Sequence, residues 1–269
     1  MAEVFHDIRF ERSEAKIARI VLCRPKQLNA YTTRLCEEFV RALDIYLRDD
    51  DLRALIVTGE GRAFCSGGDV SGADDAHADL MKSQLSHGRE MRDGMHRVVS
   101  ALHHLDKPVI AMINGPAVAG GLALALACDF RIAADTAKLG DTSGKFGLLP
   151  DEGGAWLFPR AMGYDRALKM TMLAEVYDAK TALGLGLVTE VVSAASLDAH
   201  TMGFARQLAT RAPLAVRLAK AMMARARSLT LEQSLGDAAL SVMVSNTSSD
   251  VREGVSAFFE KRPPRFEGR

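Results

Sequence analysis

The chain has 269 residues, 48% hydrophobic and 25% charged, which is enough for one large domain or one domain with a small helical extension. Lysine plus arginine and aspartate plus glutamate both number 34, so the overall basic field used by proteins that bind nucleic acid or anionic membranes is excluded. The four cysteines form no CxxC pair, no zinc-ligand spacing occurs, and the charged N-terminal segment lacks an apolar signal core. We therefore expect a cytoplasmic protein with reduced thiols and no metal site.

The first fifty residues predict two short strands and an amphipathic helix. The strands are expected over residues 4–10 and 16–22, around a polar turn at 11–14. The helix is expected from residue 32 or 33 to about residue 48, because its leucines recur on one face.

Two buried strands in the middle of the chain each end at a glycine-containing loop. They are predicted over residues 52–58 and 109–114. A surface loop at 70–82 and a long helical stretch to residue 105 separate them. The apolar run Leu122–Cys128 that follows the second loop is far shorter than the ~20 residues needed to span a bilayer, so we expect a buried helix there.

Helices dominate the remainder of the chain. After short strands at residues 130–134 and 137–139, helices are expected at about 152–162, 164–174, 178–184, 196–210, 213–227, 230–244 and 249–260. The first two-thirds of the chain thus repeat a strand–strand–helix rhythm.

The two glycine loops are candidate sites for binding an oxyanion. Glycine lets the backbone approach a ligand closely, and a helix beginning at Gly120-Gly121 directs free N–H groups and the positive end of its dipole at that ligand. The alternative is that these glycines only make tight turns. No phosphate-binding GxGxxG or GxxxxGK[ST] motif is present in the sequence.

A series of short motifs occurs in a fixed order between about residues 4 and 266: Arg24-Pro25, Asn29-Ala30, Ala63–Asp69, Lys107–Ala111, Asn114-Gly115, Gly120-Gly121, Cys128-Asp129, Gly147–Asp151, Gly153-Gly154, Pro159-Arg160, Gly186–Val188 and Arg252–Phe258. Their order and spacing resemble the enoyl-CoA hydratase/isomerase (crotonase) superfamily. The resemblance implies an α/β fold, with a spiral of ββα units over residues 1–195 and a helical region for oligomerisation over residues 196–269. It also implies an acyl-CoA thioester substrate, no further cofactor, no nucleic-acid or membrane partner, and a homotrimer or a hexamer made of two trimers.

The resemblance also assigns roles to individual residues. Gly68 and Gly120 would supply the N–H groups that hold the thioester oxygen. Basic residues at positions 24, 26, 261, 262 and 265 resemble contacts to CoA phosphates, although a solvated basic tail is the competing interpretation. The residues expected to contact substrate are Arg24, Lys26, Ala30, Ser66, Gly67, Gly121, Ser143, Phe258 and Lys261.

The acidic residues depart from the hydratase pattern. Hydratases of the superfamily have one glutamate where this chain has Ala123 and a second at the position of Ser143. Asp151 matches the aspartate that isomerase members carry after the proline, and it is the predicted catalytic acid. The alternative is that Asp151 caps the following helix. Glu152 is expected to complement the dipole of that helix, and Asp141 is a reserve acid.

The sequence therefore predicts an enoyl-CoA isomerase that works through a thioester enolate. Two alternatives stay open. One is an enoyl-CoA hydratase with a rearranged acid pair, in which Asp151 works with Asp141 or Glu152. The other is an acyl-CoA-binding homologue without activity. The histidines at positions 87, 96, 103 and 104 are expected to have surface or packing roles.

Overall fold

The computed structural model describes residues 4–13, 16–70 and 86–268, which form nine strands and eleven α-helices. The strands are β1 (Ile8–Ser13), β2 (Ile17–Leu22), β3 (Ala54–Gly59), β4 (Val109–Ile113), β5 (Ala117–Val118), β6 (Phe130–Ala134), β7 (Lys138–Gly140), β8 (Val176–Asp178) and β9 (Glu190–Val192). The helices are α1 (Thr33–Arg48), α2 (Ser86–Asp93), α3 (Met95–His104), α4 (Gly120–Ala127), α5 (Gly154–Met162), α6 (Tyr164–Met172), α7 (Ala179–Gly184), α8 (Leu197–Ala209), α9 (Pro213–Ala226), α10 (Leu231–Ser245) and α11 (Ser249–Glu260).

The larger sheet has six strands in the order β1-β2-β3-β4-β6-β9. The first pair is antiparallel and all the others are parallel, which confirms the predicted α/β class. A smaller sheet has three strands in the order β5-β7-β8.

Both faces of the larger sheet are buried. Side chains of β3 alternate between two hydrophobic clusters, with Leu55 and Val57 on one face and Ala54 and Ile56 on the other. Residues of α1, α3 and α4 cover the first face, and residues of α8 cover the second. Such two-sided burial explains why the parallel strands read as continuous apolar runs. The first helix of the region predicted for oligomerisation thus packs against the sheet.

Two predicted boundaries in the first hundred residues differ from the structure. The polar turn expected at 11–14 is strand as far as Ser13, because Glu11 lies opposite Arg19 in the antiparallel ladder. The long helical stretch is divided at Gly94, where a Cβ atom would lie 2.8 Å from the carbonyl oxygen of Glu90. The predicted loop at 70–82 lies, apart from residue 70, outside the described residues.

Three strands, β5, β8 and β9, were not predicted. Each has only two or three residues, too few to show the alternation that marks a strand in a sequence.

The C-terminal helices α9–α11 carry an apolar surface. Among its exposed side chains are those of Leu231, Leu235, Leu240, Met243, Phe258 and Phe259. Exposed apolar groups in such number are typical of an interaction surface. None of the described helices is both long and apolar enough to cross a membrane.

Candidate active site

The two glycine loops meet because β3 and β4 are parallel neighbours, so their carboxyl ends lie at the same edge of the sheet. An isolated bridge then joins Cys65 to Ala117, and the N–H of Val118 donates to the Cys65 carbonyl at 3.1 Å. A Cβ atom added at Gly67, whose φ is +99°, would lie 3.1 Å from that of Ala119. The loops are therefore in direct contact where the sequence predicted the oxyanion site.

Two asparagines hold the first loop in shape. The Asn29 side chain donates to the carbonyls of Glu60 and Ala63 at 2.9 and 2.8 Å. The Asn114 side chain donates to the carbonyls of Gly59 and Gly61 at 2.9 and 3.0 Å. These contacts explain physically why asparagine belongs to two of the sequence motifs, since only a short amide can serve several carbonyls at once.

Gly68 and Gly120 keep their N–H groups available. Tyr31 bridges the segment around Gly68 by donating to the Gly67 carbonyl and accepting from the Asp69 N–H, which leaves the Gly68 N–H on the opposite side. Gly120 is the first residue of α4, and its N–H has no acceptor within that helix. Among the described residues, both N–H groups are therefore without a main-chain partner at the point where the two glycine loops meet.

Ala119 fixes the start of α4 with φ and ψ of 50° and −125°. A side-chain-bearing residue with positive φ is strained, and such strain concentrates at functional turns. Its N–H donates to the Gly140 carbonyl at 3.0 Å, which ties the turn to β7.

Arg24 has a different position from that expected of a phosphate contact. Its guanidinium is almost fully buried and pairs with the Asp69 carboxylate at 2.7 Å, while a second donor bonds the Ala30 carbonyl. The pair locks the loop that carries Gly68, and a buried, paired guanidinium is unavailable for a CoA phosphate.

A tyrosine and a glutamate pack against both glycines. The Tyr31 hydroxyl donates to Glu152 Oε1 at 2.9 Å. A Cβ atom at Gly68 would lie 3.2 Å from that hydroxyl, and one at Gly120 would lie 2.7 Å from Glu152 Oε1. Glycine is therefore required at position 120 because Tyr31 and Glu152 occupy the space that a side chain would need.

Glu152 is 6% exposed, and burial raises its pKa to about 7, with Asp151 and Asp141 adding to the increase. Burial, together with Glu152, keeps the pKa of Tyr31 well above 10. At neutral pH the tyrosine is a hydrogen-bond donor and the glutamate is close to its titration point. The expected role of Glu152 as a dipole complement is wrong, because α5 begins two residues later and its first turn contains no acid.

The titration of Glu152 predicts how stability depends on pH. Its ordinary pKa is 4.5, so between about pH 4.5 and 7 the native state holds a proton that the unfolded state has lost, and stability falls as pH rises through that range. Glu152→Gln should remove this fall, which amounts to up to about 3 kcal/mol. The free energy of urea unfolding at pH 5 and pH 8 measures this fall in stability, and Glu232→Gln, at an exposed position, is the control. An identical pH dependence in wild type and Glu152→Gln would contradict the assignment.

Asp151 lies at the edge of this cluster, with its side chain 28% exposed. Its Oδ2 is 2.9 Å from Nε2 of His87, and its carbonyl is 2.7 Å from Nε2 of His96. The capping alternative is wrong, because the N-cap of α5 is Gly153 and no side chain caps that helix. His87 was expected on the surface or in packing, but it pairs with the predicted catalytic acid.

The two hydratase positions contain no acid. Ala123 is fully buried in α4, and buried Ser143 donates its N–H to Asp141 Oδ1 at 3.0 Å. Asp141 is fully buried, and its Oδ2 has no hydrogen-bond partner among the described residues. The described residues contain no group of three His, Cys, Asp or Glu side chains able to hold a metal ion.

The remaining predicted contacts are spread over three regions. Lys26 is exposed in the turn after β2, and Ser66 donates to the Gln27 carbonyl at 3.3 Å. Gly121 is needed for packing, since a Cβ there would lie 2.0 Å from the Cys65 carbonyl oxygen. Phe258 lines an apolar groove between α9 and α11, and Lys261 ends α11.

Sequence reasoning missed Tyr31 and the contact of His87 with Asp151, and it considered Glu152 as an acid only in the hydratase alternative. Tyr31 directly follows the Asn29-Ala30 motif, and Glu152 directly follows Asp151, so proximity to a motif was the available signal. The Tyr31–Glu152 contact spans 121 residues and depends on the tertiary fold.

The chain is similar to known proteins of one family. Residues 12–269 match the family model described as enoyl-CoA hydratase/isomerase. The chain belongs to the enoyl-CoA hydratase/isomerase family. Similar curated members of the family include a probable enoyl-CoA hydratase of Rhodobacter capsulatus, 36% identical over 98% of this chain and 99% of that protein. Another is the 1,2-epoxyphenylacetyl-CoA isomerase of Escherichia coli, 35% identical over 95% of this chain and 97% of that protein.

Solved structures of the enoyl-CoA hydratase/isomerase family share the fold. A putative enoyl-CoA hydratase from Streptomyces coelicolor superposes with a TM-score of 0.92 at 32% identity, covering 100% of this chain and 97% of its own. An enoyl-CoA hydratase from Bacillus anthracis gives a TM-score of 0.91 at 31% identity, covering 98% and 100%. The predicted crotonase fold is thus confirmed, and this chain is an acyl-CoA enzyme of that family.

Proposed function

We propose that this enzyme is an enoyl-CoA isomerase that shifts a double bond through a thioester enolate. The observation that supports this reaction is the distribution of acids. The two hydratase positions hold Ala123 and Ser143, whereas Glu152 packs against Gly120 and Asp151 directly precedes Glu152 in the chain. Syn-addition of water needs one group to activate water and another to handle the α-proton, but a proton shift needs only one carboxylate.

The thioester carbonyl would accept from the N–H groups of Gly68 and Gly120. Removal of a proton from C2 places negative charge on that oxygen, so both donors bind the enolate more strongly than the ground state. Each such donor typically contributes ~3 kcal/mol to transition-state stabilisation.

Asp151 would carry the proton. Its carboxylate takes a proton from C2 of a 3-enoyl thioester, the double bond moves from C3–C4 to C2–C3, and C4 receives a proton. The contact with His87 supports this role, because a histidine nitrogen at 2.9 Å fixes the orientation of the carboxyl group.

Hydration is the second candidate reaction. Buried Glu152 and Asp141 are the candidates for a second acid, since Asp151 and Asp141 both raise the pKa of Glu152. Similar proteins carry both names, since one is called a probable hydratase and another an isomerase.

Two substrates separate the candidates. We expect the enzyme to convert a 3-enoyl-CoA to the conjugated 2-enoyl-CoA, seen as a rise in the absorbance of the conjugated thioester. Rapid loss of that absorbance from crotonyl-CoA, with formation of 3-hydroxyacyl-CoA, would favour hydration instead. Tight CoA binding without isomerisation, hydration or α-proton exchange across a panel of acyl-CoAs would indicate a binding protein.

We also propose an assembly of three chains, or of two such trimers, formed through helices α9–α11. The exposed side chains of Leu235, Met243 and Phe259 support it, because a stable monomer seldom exposes so much apolar surface. The CoA contacts proposed for Lys26, Phe258 and Lys261 would be completed in that assembly. Sedimentation should give three or six times the chain mass of 29.1 kDa, and a monomer would refute the proposal.

A further inference from the structure

We infer that Glu152 is a second proton-transferring group of this site and that Tyr31 is its positioning residue. The inference rests on the proposed isomerase function and adds a group that the family motifs do not include. It begins from the Tyr31–Glu152 contact beside Gly68 and Gly120.

The two carboxyl oxygens of Glu152 differ in their hydrogen bonds to the described residues. Oε1 of Glu152 accepts from the Tyr31 hydroxyl at 2.9 Å. Oε2 is buried and has no hydrogen-bond partner among the described residues. Because the carboxyl group lies against Gly120, whose N–H is proposed to bind the thioester oxygen, Oε2 would lie near the carbons next to that carbonyl.

A purely structural role explains this carboxyl poorly. A buried polar atom without a partner destabilises the native state, and a hydrophobic side chain of similar size would fill the same space without that loss. Groups that reduce stability in this way are concentrated at sites where chemistry needs them.

Burial and the carboxyl groups of Asp151 and Asp141 favour the protonated form of Glu152, whereas the hydrogen bond from the Tyr31 hydroxyl favours its charged form. Asp151, in contrast, contacts the His87 imidazole, which lies 3.9 Å from the Glu90 carboxylate. Burial raises the pKa of Glu152 to about 7, so Glu152 would serve as the acid of the site and Asp151 as its base.

The balanced step uses both groups. Asp151 forms an O–H bond as the C2–H bond breaks, and the electron pair moves through C3 while the thioester oxygen takes the charge. Glu152 then gives its proton to C4, so its O–H bond breaks as the C4–H bond forms. The cycle ends with a protonated Asp151 and an ionised Glu152, and exchange of one proton with solvent or between the two restores the starting state.

The test compares the rate and the label distribution in matched variants, using a 3-enoyl-CoA deuterated at C2 in ordinary water. In the wild type we expect C4 to receive a solvent-derived proton. Glu152→Gln should lower kcat about 10²-fold with little change in KM, and any residual product should carry more deuterium at C4, because Asp151 alone must then move the hydron. Glu152→Asp should recover part of the rate.

Tyr31→Phe tests the positioning role. It should lower kcat about 10-fold, leave KM near the wild-type value and move the alkaline limb of the kcat profile, whereas a packing defect would leave that limb in place. Circular dichroism establishes that each variant is folded.

A wild-type rate and label distribution in Glu152→Gln would overturn the inference while leaving the isomerase proposal intact. An unchanged alkaline limb in Tyr31→Phe would overturn the positioning role. If the wild type isomerises no enoyl-CoA and exchanges no α-proton, the proposed function itself fails, and this inference fails with it.

Discussion

Asp151→Asn is expected to abolish isomerisation and proton exchange at C2 of a bound acyl-CoA, with a loss of at least about 10³-fold in kcat. The amide keeps the size and polarity of the carboxylate but cannot take a proton at neutral pH. Proton exchange into an acyl-CoA, followed by mass spectrometry, measures the step directly. Binding of CoA should stay within a few-fold of wild type, because in the proposed reaction Asp151 acts at C2 and takes no part in the CoA contact proposed for Lys26.

Two further variants sharpen this experiment. Asp165→Asn, on the exposed first turn of α6, removes a carboxylate far from the cluster and should behave as wild type. His87→Gln removes the imidazole contact to Asp151 and should lower kcat, because the carboxyl group is then less firmly oriented. Full activity in Asp151→Asn would reject the assignment of the base and make Glu152 the remaining candidate.

Gly120→Ala should reduce kcat/KM about 10²- to 10³-fold, the range seen when an oxyanion donor is lost. The added Cβ would lie 2.5 Å from the Tyr31 ring and 2.7 Å from Glu152 Oε1, so the turn and both side chains must move. Overpacking of this kind also destabilises, by about 1–3 kcal/mol. The prediction therefore couples a kinetic loss to a measurable loss of stability.

Gly203→Ala is the matched control for Gly120→Ala. Gly203 lies within α8, and a Cβ there would meet nothing within 4 Å. Since alanine favours helix over glycine by about 0.5–1 kcal/mol, this variant should be slightly more stable and fully active. The value of kcat/KM and the urea midpoint are measured for both variants. A fully active Gly120→Ala enzyme would argue against the Gly120 N–H as a donor to the thioester oxygen.

Elements with strong local signals were predictable from the sequence. The helix α1 begins after Thr32, whose side chain accepts from the Leu35 N–H, as a threonine before an amphipathic run indicates. The predicted strand 130–134 and helix 249–260 coincide with β6 and α11. The oxyanion glycines were assigned from motifs, because glycine is required wherever a backbone approaches another atom closely.

The arrangement of the acids was not predictable in the same way. Residues 151 and 152 lie in the turn before α5, so the periodicity of the helix does not determine which of the two side chains faces inward. Sequence reasoning began that helix at residue 152 and sent Glu152 to its first turn, whereas the structure begins it at Gly154 and buries Glu152. The contact that holds Glu152 comes from Tyr31, and no local pattern reports a pairing across the whole fold.

The asparagine contacts to the first glycine loop have a consequence for turnover. Asn29 and Asn114 fix five main-chain groups of that loop before any thioester arrives. The conformational entropy of ordering those amides is therefore lost once, as each molecule folds, and does not recur with every substrate. Because the loop is already ordered, it could bind the thioester group that all acyl-CoA substrates share without rearranging. Only the part of the pocket that contacts the acyl chain would then have to adapt to different substrates.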